Sequence, residues 1–256
     1  RAEDPGGGVR ELSGARGGRL PAGEERARLV REMFDRIAGR YELLNALMTA
    51  GLYRRWNAAA VRASAVRPGD RVIDLACGTG SLTRALARRV GAQGYVLGVD
   101  FSPGMLRRAR GGPNIEYRIG DATDLGWVET ASFDAATIAY GARNIPDLDA
   151  LFSEMARVVR PGGAVVCLEI ARPQGRLFAA FYGLWFDRIV PRLGAAVSGD
   201  PGAYSYLPES VREFVAPGVL AGIMERNGLQ DVTWRRLAGG IITLHRGIRG
   251  FVEGGG

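Results

Sequence analysis

Five short apolar segments alternate with segments of helical periodicity through the middle of the sequence, and this alternation is the strongest constraint on the fold. The apolar segments are RVIDLAC (71–77), YVLGVD (95–100), IEYRIGD (115–121), FDAATIAY (133–140) and AVVCLEIA (164–171). Strands that alternate with helices of about ten residues form right-handed βαβ units. We therefore predict a parallel sheet covered by helices on both faces.

The helical segments between these strands carry start and stop signals. Residues 82–90 have the spacing of an amphipathic helix, and the Ser102-Pro103 pair is typical of a helix start. Residues 147–159 indicate a further helix, which we predict to be stopped by the Pro-Gly-Gly of residues 161–163.

The C-terminal part departs from the alternation. Two apolar segments, LQDVTWRRL (229–237) and IITLHRGI (241–248), are separated only by AGG, which is too short for a crossover helix. We therefore predict that they pair as an antiparallel hairpin. The expected α/β fold is Rossmann-like, with a seven-stranded, mostly parallel sheet.

The flanking regions complete the domain organisation. Residues 1–23 are rich in glycine and arginine without periodicity, so we expect a disordered tail before a single domain of residues 24–256. Apolar residues at helical spacing predict N-terminal helices over residues 24–65. Residues 172–228 are predicted to be a helical insertion on the substrate side, before the hairpin.

The charge of the chain admits two interpretations. The net charge is +7 and the isoelectric point about 10.0, which favours an anionic partner such as a nucleic acid or an anionic membrane surface. However, all 34 basic residues are arginine, which equally indicates an arginine-rich coding bias.

Cysteine and histidine are scarce. The chain has two cysteines, Cys77 and Cys167, and one histidine, His245, which are too few for a zinc site or a disulfide framework. We predict no metal and two buried free thiols, and hence a reducing, cytoplasmic compartment. No apolar run reaches the length of about 18 residues that a membrane span needs, and the N-terminus lacks the apolar region of a secretory signal.

The stretch IDLACGTGSL (73–82) places a glycine-rich turn between the first strand and a helix, where a nucleotide could be held. A phosphate-binding loop needs a lysine, and this chain has none. A dinucleotide site fits better, because Gly78 and Gly80 form G-x-G and Asp100 follows about 20 residues later. However, Thr83 stands where that fingerprint expects its third glycine.

Acidic residues end three successive strands and favour a different cofactor. Asp74, Asp100 and Asp121 should lie along the carboxyl edge of the sheet, where open α/β folds bind ligands. A carboxylate at Asp74 would repel a pyrophosphate but suits a cation. S-adenosylmethionine carries a sulfonium and an α-ammonium, ribose hydroxyls for Asp100 and an adenine amino group for Asp121. Residues 65–248 thus resemble the class I S-adenosylmethionine-dependent methyltransferases.

Several stretches resemble one family within that class, the ubiquinone/menaquinone biosynthesis C-methyltransferases. The resemblance runs from about Phe34 to Gly247, and it departs from the family pattern at four positions. The matching stretches are YELLNALMTAGLYRRW (41–56), YGARNIPD (140–147), RVVRPGGAVVCLEIA (157–171), SYLPESVREF (205–214) and LHRG (244–247). The departures are Glu42 for Asp, Thr49 for Ser, Tyr53 for His and Ala139 for Ser.

The resemblance implies S-adenosyl-L-methionine as the cofactor and a prenylated quinol as the methyl acceptor. The implied cofactor-binding residues are Asp74, Gly78, Thr79, Gly80, Asp100, Phe101, Asp121, Ala122 and Ala139. The stretch VCLEIARP resembles the menaquinone-type members, so we prefer conversion of demethylmenaquinol to menaquinol. C-methylation of a benzoquinol in the ubiquinone pathway is the alternative.

The chemistry of the acceptor suggests catalytic residues. Loss of a proton from the quinol hydroxyl puts carbanion character on the ortho carbon, which then attacks the methyl group. We predict that Arg143 stabilises the quinol anion and that Asn144 orients the ring. Two candidates for the base stay open: His245, and a water held by Arg143 and Tyr41.

An aromatic-rich stretch, LFAAFYGLWFDRIV (177–190), has more than one interpretation. It could line a channel for the prenyl tail or contact the inner face of the cell membrane, with nearby arginines on anionic headgroups. It equally suits a buried core helix or the contact of a homodimer.

Three rival functions are weighed. A nucleic-acid methyltransferase fits the basic charge, but the place after the fourth strand reads AYGARN, without the Pro pair of base-amino methylation. A nicotinamide-dependent oxidoreductase is disfavoured, because the carboxylate of Asp74 would repel the pyrophosphate of its cofactor. A non-catalytic relative would fit Ala139, but the acids and glycines of the turn are intact. We expect no nucleic-acid partner.

Overall fold

A computed structural model describes residues 23–172, 183 and 201–251 of the chain. Seven strands form one sheet. They are β1 (Arg71–Leu75), β2 (Tyr95–Asp100), β3 (Ile115–Ile119), β4 (Phe133–Ala139), β5 (Val159–Ile170), β6 (Leu229–Leu237) and β7 (Ile242–Arg249). Their order across the sheet is β3-β2-β1-β4-β5-β7-β6. The first five strands are parallel, and β7 pairs antiparallel with both β5 and β6. The predicted fold class is thereby confirmed.

Helices precede, connect and follow these strands. The described helices are α1 (Gly23–Ile37), α2 (Tyr41–Thr49), α3 (Tyr53–Ala63), α4 (Ser81–Val90), α5 (Pro103–Leu106), α6 (Leu148–Val158), α7 (Pro201–Glu213) and α8 (Pro217–Arg226). Helix α5 begins where the sequence predicts, because the Ser102 hydroxyl accepts a hydrogen bond from the Met105 N–H and Pro103 occupies the first turn.

Three clusters of buried apolar side chains organise the layers. One face of the sheet packs against α6 and α8, and the other packs against α3 and α4. A third cluster joins α1, α2, α5 and α7 through Met33, Leu44, Met105 and Tyr206. Because α5 follows the carboxyl end of β2 directly, this third cluster forms a helical cap at the carboxyl edge of the sheet.

The fifth strand is longer than its sequence suggests. Helix α6 ends at Val158 and β5 begins at Val159, so the Pro-Gly-Gly of residues 161–163 lies inside the strand and does not stop the helix. The pairing of β4 with β5 shifts register between Phe133 and Ala135, and Gly162 has a φ of 80°. The Pro-Gly-Gly is therefore part of an irregularity in the strand.

Part of the predicted organisation lies outside the described residues. This holds for residues 1–22 of the expected tail and for nearly all of the aromatic-rich stretch 177–190. The described end of the predicted insertion contains the helices α7 and α8. Among the described residues, no helix is both long and apolar enough to cross a membrane.

Candidate active site

The glycine-rich turn connects β1 to α4 in a conformation that only certain residues accept. Gly78 and Gly80 have φ values of 57° and 80°, in the left-handed region where glycine carries no steric penalty. A Cβ at Gly80 would also collide with the Tyr117 hydroxyl, so this position requires glycine. Helix α4 begins immediately after Gly80, so the free backbone N–H groups at its N-terminus lie next to the glycine-rich turn.

Asp74 is fixed beneath this turn by two threonine hydroxyls. Its Oδ2 accepts a hydrogen bond from Thr83 Oγ1 at 2.6 Å, and its Oδ1 accepts one from Thr137 Oγ1 at 2.7 Å. All three side chains are buried. Thr83 stands where the dinucleotide fingerprint has glycine, and its hydroxyl instead binds the Asp74 carboxylate, which would repel a pyrophosphate.

Asp100 ends β2 and closes the turn from the other side. Its Oδ2 accepts a hydrogen bond from the Gly78 N–H at 2.7 Å, and its Oδ1 accepts one from the Ser102 N–H at 2.9 Å. Both carboxylate oxygens therefore bond to backbone in this structure. The carboxylate fixes the conformation of the glycine-rich turn.

Burial disfavours the ionised form of both carboxylates and so raises their pKa values. It raises the pKa of Asp74 to about 6, although the hydrogen bonds from Thr83 and Thr137 lower it, and the negative charge of Asp100 adds to the rise. Burial likewise raises the pKa of Asp100 to about 6, against hydrogen bonds from Ser102 and Gly78. The groups with the largest effects on the two pKa values are hydrogen-bond donors and neighbouring carboxylates, with no cation among them. A cation bound here would supply the missing charge.

A pocket opens between the turn and the helices that precede the sheet. Helix α2 contributes Tyr41, Glu42 and Asn45 to its lining, and α3 contributes Tyr53 and Asn57. Asp74, the turn and the end of β4 complete it, and the turn residues include Gly78 and Thr79. The four predicted departures from the family pattern include three of these lining residues, which are Glu42, Tyr53 and Ala139.

Other predicted cofactor residues lie outside this lining. Asp121 follows the end of β3 and is exposed, and its Oδ1 accepts hydrogen bonds from the N–H and the hydroxyl of Thr123. Phe101 packs in the helical cap, with its ring centroid 6.5 Å from that of Phe34. Ala122 is buried on the α6 side of the sheet. The structure therefore brings Asp74, Asp100 and the turn together, and leaves Asp121 at the surface.

Helix α2 is tied to the glycine-rich turn by Glu42. Its Oε1 accepts hydrogen bonds from Arg84 Nη2 at 2.7 Å and from Thr79 Oγ1 at 3.0 Å. Arg84 Nη1 also donates to the Thr79 carbonyl at 2.6 Å. Partial burial raises the pKa of Glu42, but the hydrogen bonds from Arg84 and Thr79 outweigh it, so the pKa lies below its usual value. Glu42 therefore holds α2 across the pocket as an anion.

Arg143 lies in the turn after β4 and forms a buried ion pair. Its Nη1 donates to Glu169 Oε1 at 2.7 Å and to the Tyr140 carbonyl at 2.5 Å, while its N–H donates to Glu169 Oε2. Arg143 is 8% exposed and Glu169 is fully buried. The Nε of Arg143 is buried without a hydrogen-bond partner. Arg143 does not itself line the pocket, whereas Tyr140, whose carbonyl it contacts, does.

Further polar groups surround Arg143. Burial raises the pKa of the Tyr41 phenol above its usual value. A hydrogen bond with Asn45 and the positive charge of Arg143 both lower it in part. Asn144 Oδ1 accepts a hydrogen bond from the Tyr206 hydroxyl of α7 at 3.0 Å. The hydroxyl of Tyr140 and Oδ1 of Asn57 are buried and unpaired. Unpaired buried polar atoms beside a pocket are what a polar ligand would satisfy.

His245 lies apart from this group. It is fully buried in β7 opposite Cys167, its Nε2 is 3.0 Å from the Pro217 carbonyl of α8, and its ring stacks on Trp234. Burial lowers the pKa of His245 to about 4, although the hydrogen bond to Pro217 raises it. The structure therefore does not bring His245 to the pocket, and its placement is that of a core residue. The predicted role of His245 as the base has no support in this geometry.

Sequence reasoning missed several residues of the site. Glu169 belongs to a stretch that carried the family resemblance, yet its partnership with Arg143 joins positions 26 residues apart that only the parallel pairing of β4 and β5 brings together. Asn57 and Tyr140 gave no signal, because their unpaired atoms are visible only in three dimensions. Glu42 was noted as a departure, and its spacing to Thr79 gave no hint of their contact.

Comparison with known proteins adds to this geometry. The model of the ubiE/COQ5 methyltransferase family matches residues 21–249. A demethylmenaquinone methyltransferase of Desulfitobacterium hafniense (strain Y51) is 41% identical over 233 residues, which are 88% of this chain and 92% of the relative. A ubiquinone/menaquinone biosynthesis C-methyltransferase, UbiE, of Teredinibacter turnerae (strain ATCC 39867 / T7901) is 36% identical over 88% of this chain and 93% of its own.

Solved structures share the architecture at much lower identity. An S-adenosylmethionine-dependent methyltransferase of Thermotoga maritima aligns with a TM-score of 0.60 and 18% identity, over 86% of this chain and 99% of the other. At this identity the likeness supports the fold alone. It agrees with the strand order, in which five parallel strands end on an antiparallel hairpin.

Proposed function

The chain belongs to the ubiE/COQ5 methyltransferase family, and we propose that it transfers a methyl group from S-adenosyl-L-methionine to a ring carbon of a prenylated quinol. The preferred acceptor is demethylmenaquinol, which becomes menaquinol, as the name of the Desulfitobacterium relative indicates for that protein. The observation that carries the proposal is the pair of buried carboxylates, Asp74 and Asp100, beside the glycine-rich turn, whose pKa values burial raises to about 6. A cationic cofactor satisfies their charge, whereas a pyrophosphate would not.

The residues present fit S-adenosylmethionine. Asp74 and Asp100 supply negative charge, Gly78 and Gly80 allow close approach of the backbone, and the unpaired Oδ1 of Asn57 is an acceptor for an ammonium group. When bound, the cofactor supplies an electrophilic methyl group from its sulfonium. Asp121, being exposed, would reach the adenine end only from the surface.

Arg143 is the residue to which we assign stabilisation of the quinol anion. Its Nη1 is held by Glu169 and its Nε–H is unpaired, so the guanidinium is oriented before the substrate arrives. A donor aimed at the quinol oxygen lowers the pKa of that hydroxyl and favours the phenolate. Asn144, held by Tyr206, is placed beside it to orient the ring.

Alignment and proton removal complete the mechanism. Holding the acceptor carbon in line with the methyl group can contribute up to about 7–11 kcal/mol, more than any single polar contact in the site. We assign the role of proton acceptor to a water held by Tyr41 and Arg143, because both groups are at the site and His245 is buried against α8. Helix α2 forms one side of the pocket in which these groups act.

The location and partners of the enzyme follow from its substrate. A prenylated quinol dissolves in lipid, so we place the protein in the cytoplasm, in contact with the inner face of the cell membrane. A homodimer formed through residues 177–190 stays a prediction. A benzoquinol of the ubiquinone pathway is a second acceptor to test, because the name of the Teredinibacter relative includes both quinones.

A methyl-transfer assay tests the proposal. Purified protein and labelled cofactor are incubated with demethylmenaquinol and with the corresponding benzoquinol, each in reduced and oxidised form. We expect label in the reduced naphthoquinol and none in either oxidised quinone, because only the quinol can form the anion. Equal transfer to the oxidised compounds would contradict the phenolate mechanism, and transfer to neither quinol would contradict the function.

A further inference from the structure

Helix α2 and the residue before α3 expose three leucines between positions 43 and 52. Leu43 is 54% exposed, Leu47 is 46% exposed and Leu52 is 41% exposed. Leu43 and Leu47 are four residues apart in α2 and therefore adjacent on one face of the helix. We refer to Leu43, Leu47 and Leu52 as the leucine face. Clusters of exposed apolar side chains of this kind mark interaction sites in soluble proteins.

The opposite side of the same helix lines the pocket. Tyr41 and Asn45 are pocket residues, and each lies two positions, about 200° of helical rotation, before Leu43 or Leu47. An α-helix with its side chains is about 10–12 Å across. The leucine face is thus separated from the pocket by roughly the thickness of one helix.

Two exposed basic residues flank the leucine face. Arg54 and Arg55 follow Leu52 directly and are exposed. The acidic residue of this segment, Glu42, is paired with Arg84 on the pocket side. Exposed leucines next to exposed guanidinium groups complement a surface that is both apolar and anionic.

We propose that the leucine face, with Arg54 and Arg55, docks on the surface of a lipid bilayer containing anionic headgroups. This inference rests on the proposed function, because a prenylated quinol is held in lipid and must reach the pocket from it. If α2 lies at the membrane surface, the distance from the lipid to the pocket is about the thickness of one helix. The quinol ring can then enter the pocket while its prenyl tail stays in the lipid. The membrane contact is thereby assigned to α2 and the start of α3, whereas the sequence offered residues 177–190 as one candidate for it.

Vesicle flotation of the full-length chain tests this proposal. The probes are phosphatidylcholine vesicles with and without phosphatidylglycerol. We expect wild-type protein to float with the anionic vesicles, and Leu43→Ser/Leu47→Ser to bind them at least about tenfold more weakly, because two leucines no longer enter the apolar layer. Arg54→Gln/Arg55→Gln should weaken binding by roughly tenfold on the anionic vesicles alone.

Two matched controls remove similar groups elsewhere. Val219→Ser changes a side chain of α8 that is 53% exposed, and Arg88→Gln/Arg89→Gln removes two adjacent exposed arginines of α4. Both should bind vesicles like the wild type. Circular dichroism and cofactor affinity check that every variant is folded.

The outcomes separate docking from catalysis. Flotation needs no turnover, and methylation of a quinol without a prenyl tail needs no membrane, so a failure of either leaves the other measurable. Absence of wild-type binding to anionic vesicles would overturn the proposal. Equal binding by Leu43→Ser/Leu47→Ser and the wild type would overturn it as well. So would light scattering that shows a dimer abolished by the same double substitution, because a second copy would then cover the leucines.

Discussion

At the scale of single residues, the structural role of Arg143 can be separated from the catalytic role that we propose for it. Its ion pair with Glu169 is buried, so removing the guanidinium alone leaves an uncompensated carboxylate. Breaking such a pair typically costs about 3–5 kcal/mol of stability. Replacing both partners by neutral residues avoids that cost, which makes the double variant the informative one.

We therefore expect Arg143→Met to lower both stability and turnover, and Arg143→Met/Glu169→Gln to recover stability without turnover. The loss of turnover should be at least about hundredfold, as for other donors to a developing anion. Thermal melts, calorimetric cofactor affinity and the methyl-transfer assay are the measurements. If the double variant regained activity together with stability, the role of Arg143 would be structural only.

The raised pKa values of Asp74 and Asp100 make cofactor binding dependent on pH. Both pKa values are about 6 in the free protein, and a bound cation favours the ionised forms. Affinity should therefore increase with pH up to about 6 and then level off, with a slope of roughly tenfold per pH unit for each proton released.

Isothermal calorimetry with S-adenosylmethionine measures this profile. Asp100→Asn should weaken binding and flatten the slope, because one of the two titrating groups is removed while its size is kept. A wild-type affinity that does not change between about pH 5 and pH 7 would contradict the assignment of these carboxylates to the cofactor.

His245 should influence stability and leave catalysis unchanged. Its pKa falls from 6.5 to about 4 on folding, so the unfolded chain binds the extra proton between those values. The contribution of His245 is complete above about pH 6.5 and is lost as pH falls towards 4, a change of about 3 kcal/mol. Asp74 and Asp100 have raised pKa values, so their contribution has the opposite sign and is lost as pH rises towards 6.

Comparing His245→Gln with the wild type removes the aspartate contribution from the difference. Urea titrations should show the wild type gaining stability over the variant by about 3 kcal/mol between pH 4 and pH 6.5. Turnover at neutral pH should be unchanged. A variant that is stable but inactive would restore His245 as the base.

At the scale of elements, the sequence predicted the sheet well and its irregularities poorly. The bounds of β2 and β6 agree with the prediction, since short polar or glycine-containing segments delimit both. The start of β5 was missed, because Pro-Gly-Gly has the same local signal whether it ends a helix or forms an irregularity within a strand. Local propensity does not distinguish the two cases, and pairing with β4 does.

For the candidate site, too, the sequence predicted the positions of some residues and not of others. Asp74 and Asp100 could be predicted, because residues at the ends of parallel strands meet at one edge of the sheet whatever the loops do. Asp121 lies after β3, which ends at Ile119, and there the turn with Thr123 directs its carboxylate. The contacts of Glu42 with Arg84 depend on how α2 packs across the sheet edge, which the sequence does not specify.

Helix α2 is the element whose mobility we expect to control cofactor exchange. A turn follows its C-terminal end, where Ala50 and Gly51 have φ values of 48° and 74°. Near its N-terminal end, Glu42 accepts hydrogen bonds from Arg84 and Thr79. Glu42→Ala should speed cofactor release several-fold. Stability should change by less than about 1 kcal/mol, because half-exposed ion pairs contribute little.

Stopped-flow displacement of bound cofactor measures the release rate. The control is Glu32→Ala, which removes the partner of Arg28 from an exposed ion pair on α1 and should leave release unchanged. Equal release rates in Glu42→Ala and the wild type would show that α2 does not limit exchange.

At the scale of the whole molecule, the pocket lies where two packing units meet. The sheet with its flanking helices supplies Asp74 and the turn, which Asp100 holds from outside the lining, and the helical cap supplies Tyr41, Glu42 and Asn45. Asp35 of α1 is linked to the sheet through Ser102, because its Oδ1 accepts a hydrogen bond from the Ser102 hydroxyl and the Ser102 N–H donates to Asp100 of β2. A ligand in the pocket touches both units and should stabilise them together.

We therefore expect S-adenosylmethionine to raise the melting temperature of the whole chain in one cooperative transition. At a ligand concentration a hundred times Kd, linkage adds about 2.7 kcal/mol, which corresponds to a shift of roughly 5–10 °C for a chain of this size. NADH should give no shift, because its pyrophosphate would face Asp74. A scan with each ligand measures both effects. A shift with NADH that equals the shift with S-adenosylmethionine would mean that the buried carboxylates do not select the cofactor, and the charge argument for the methyl donor would fail.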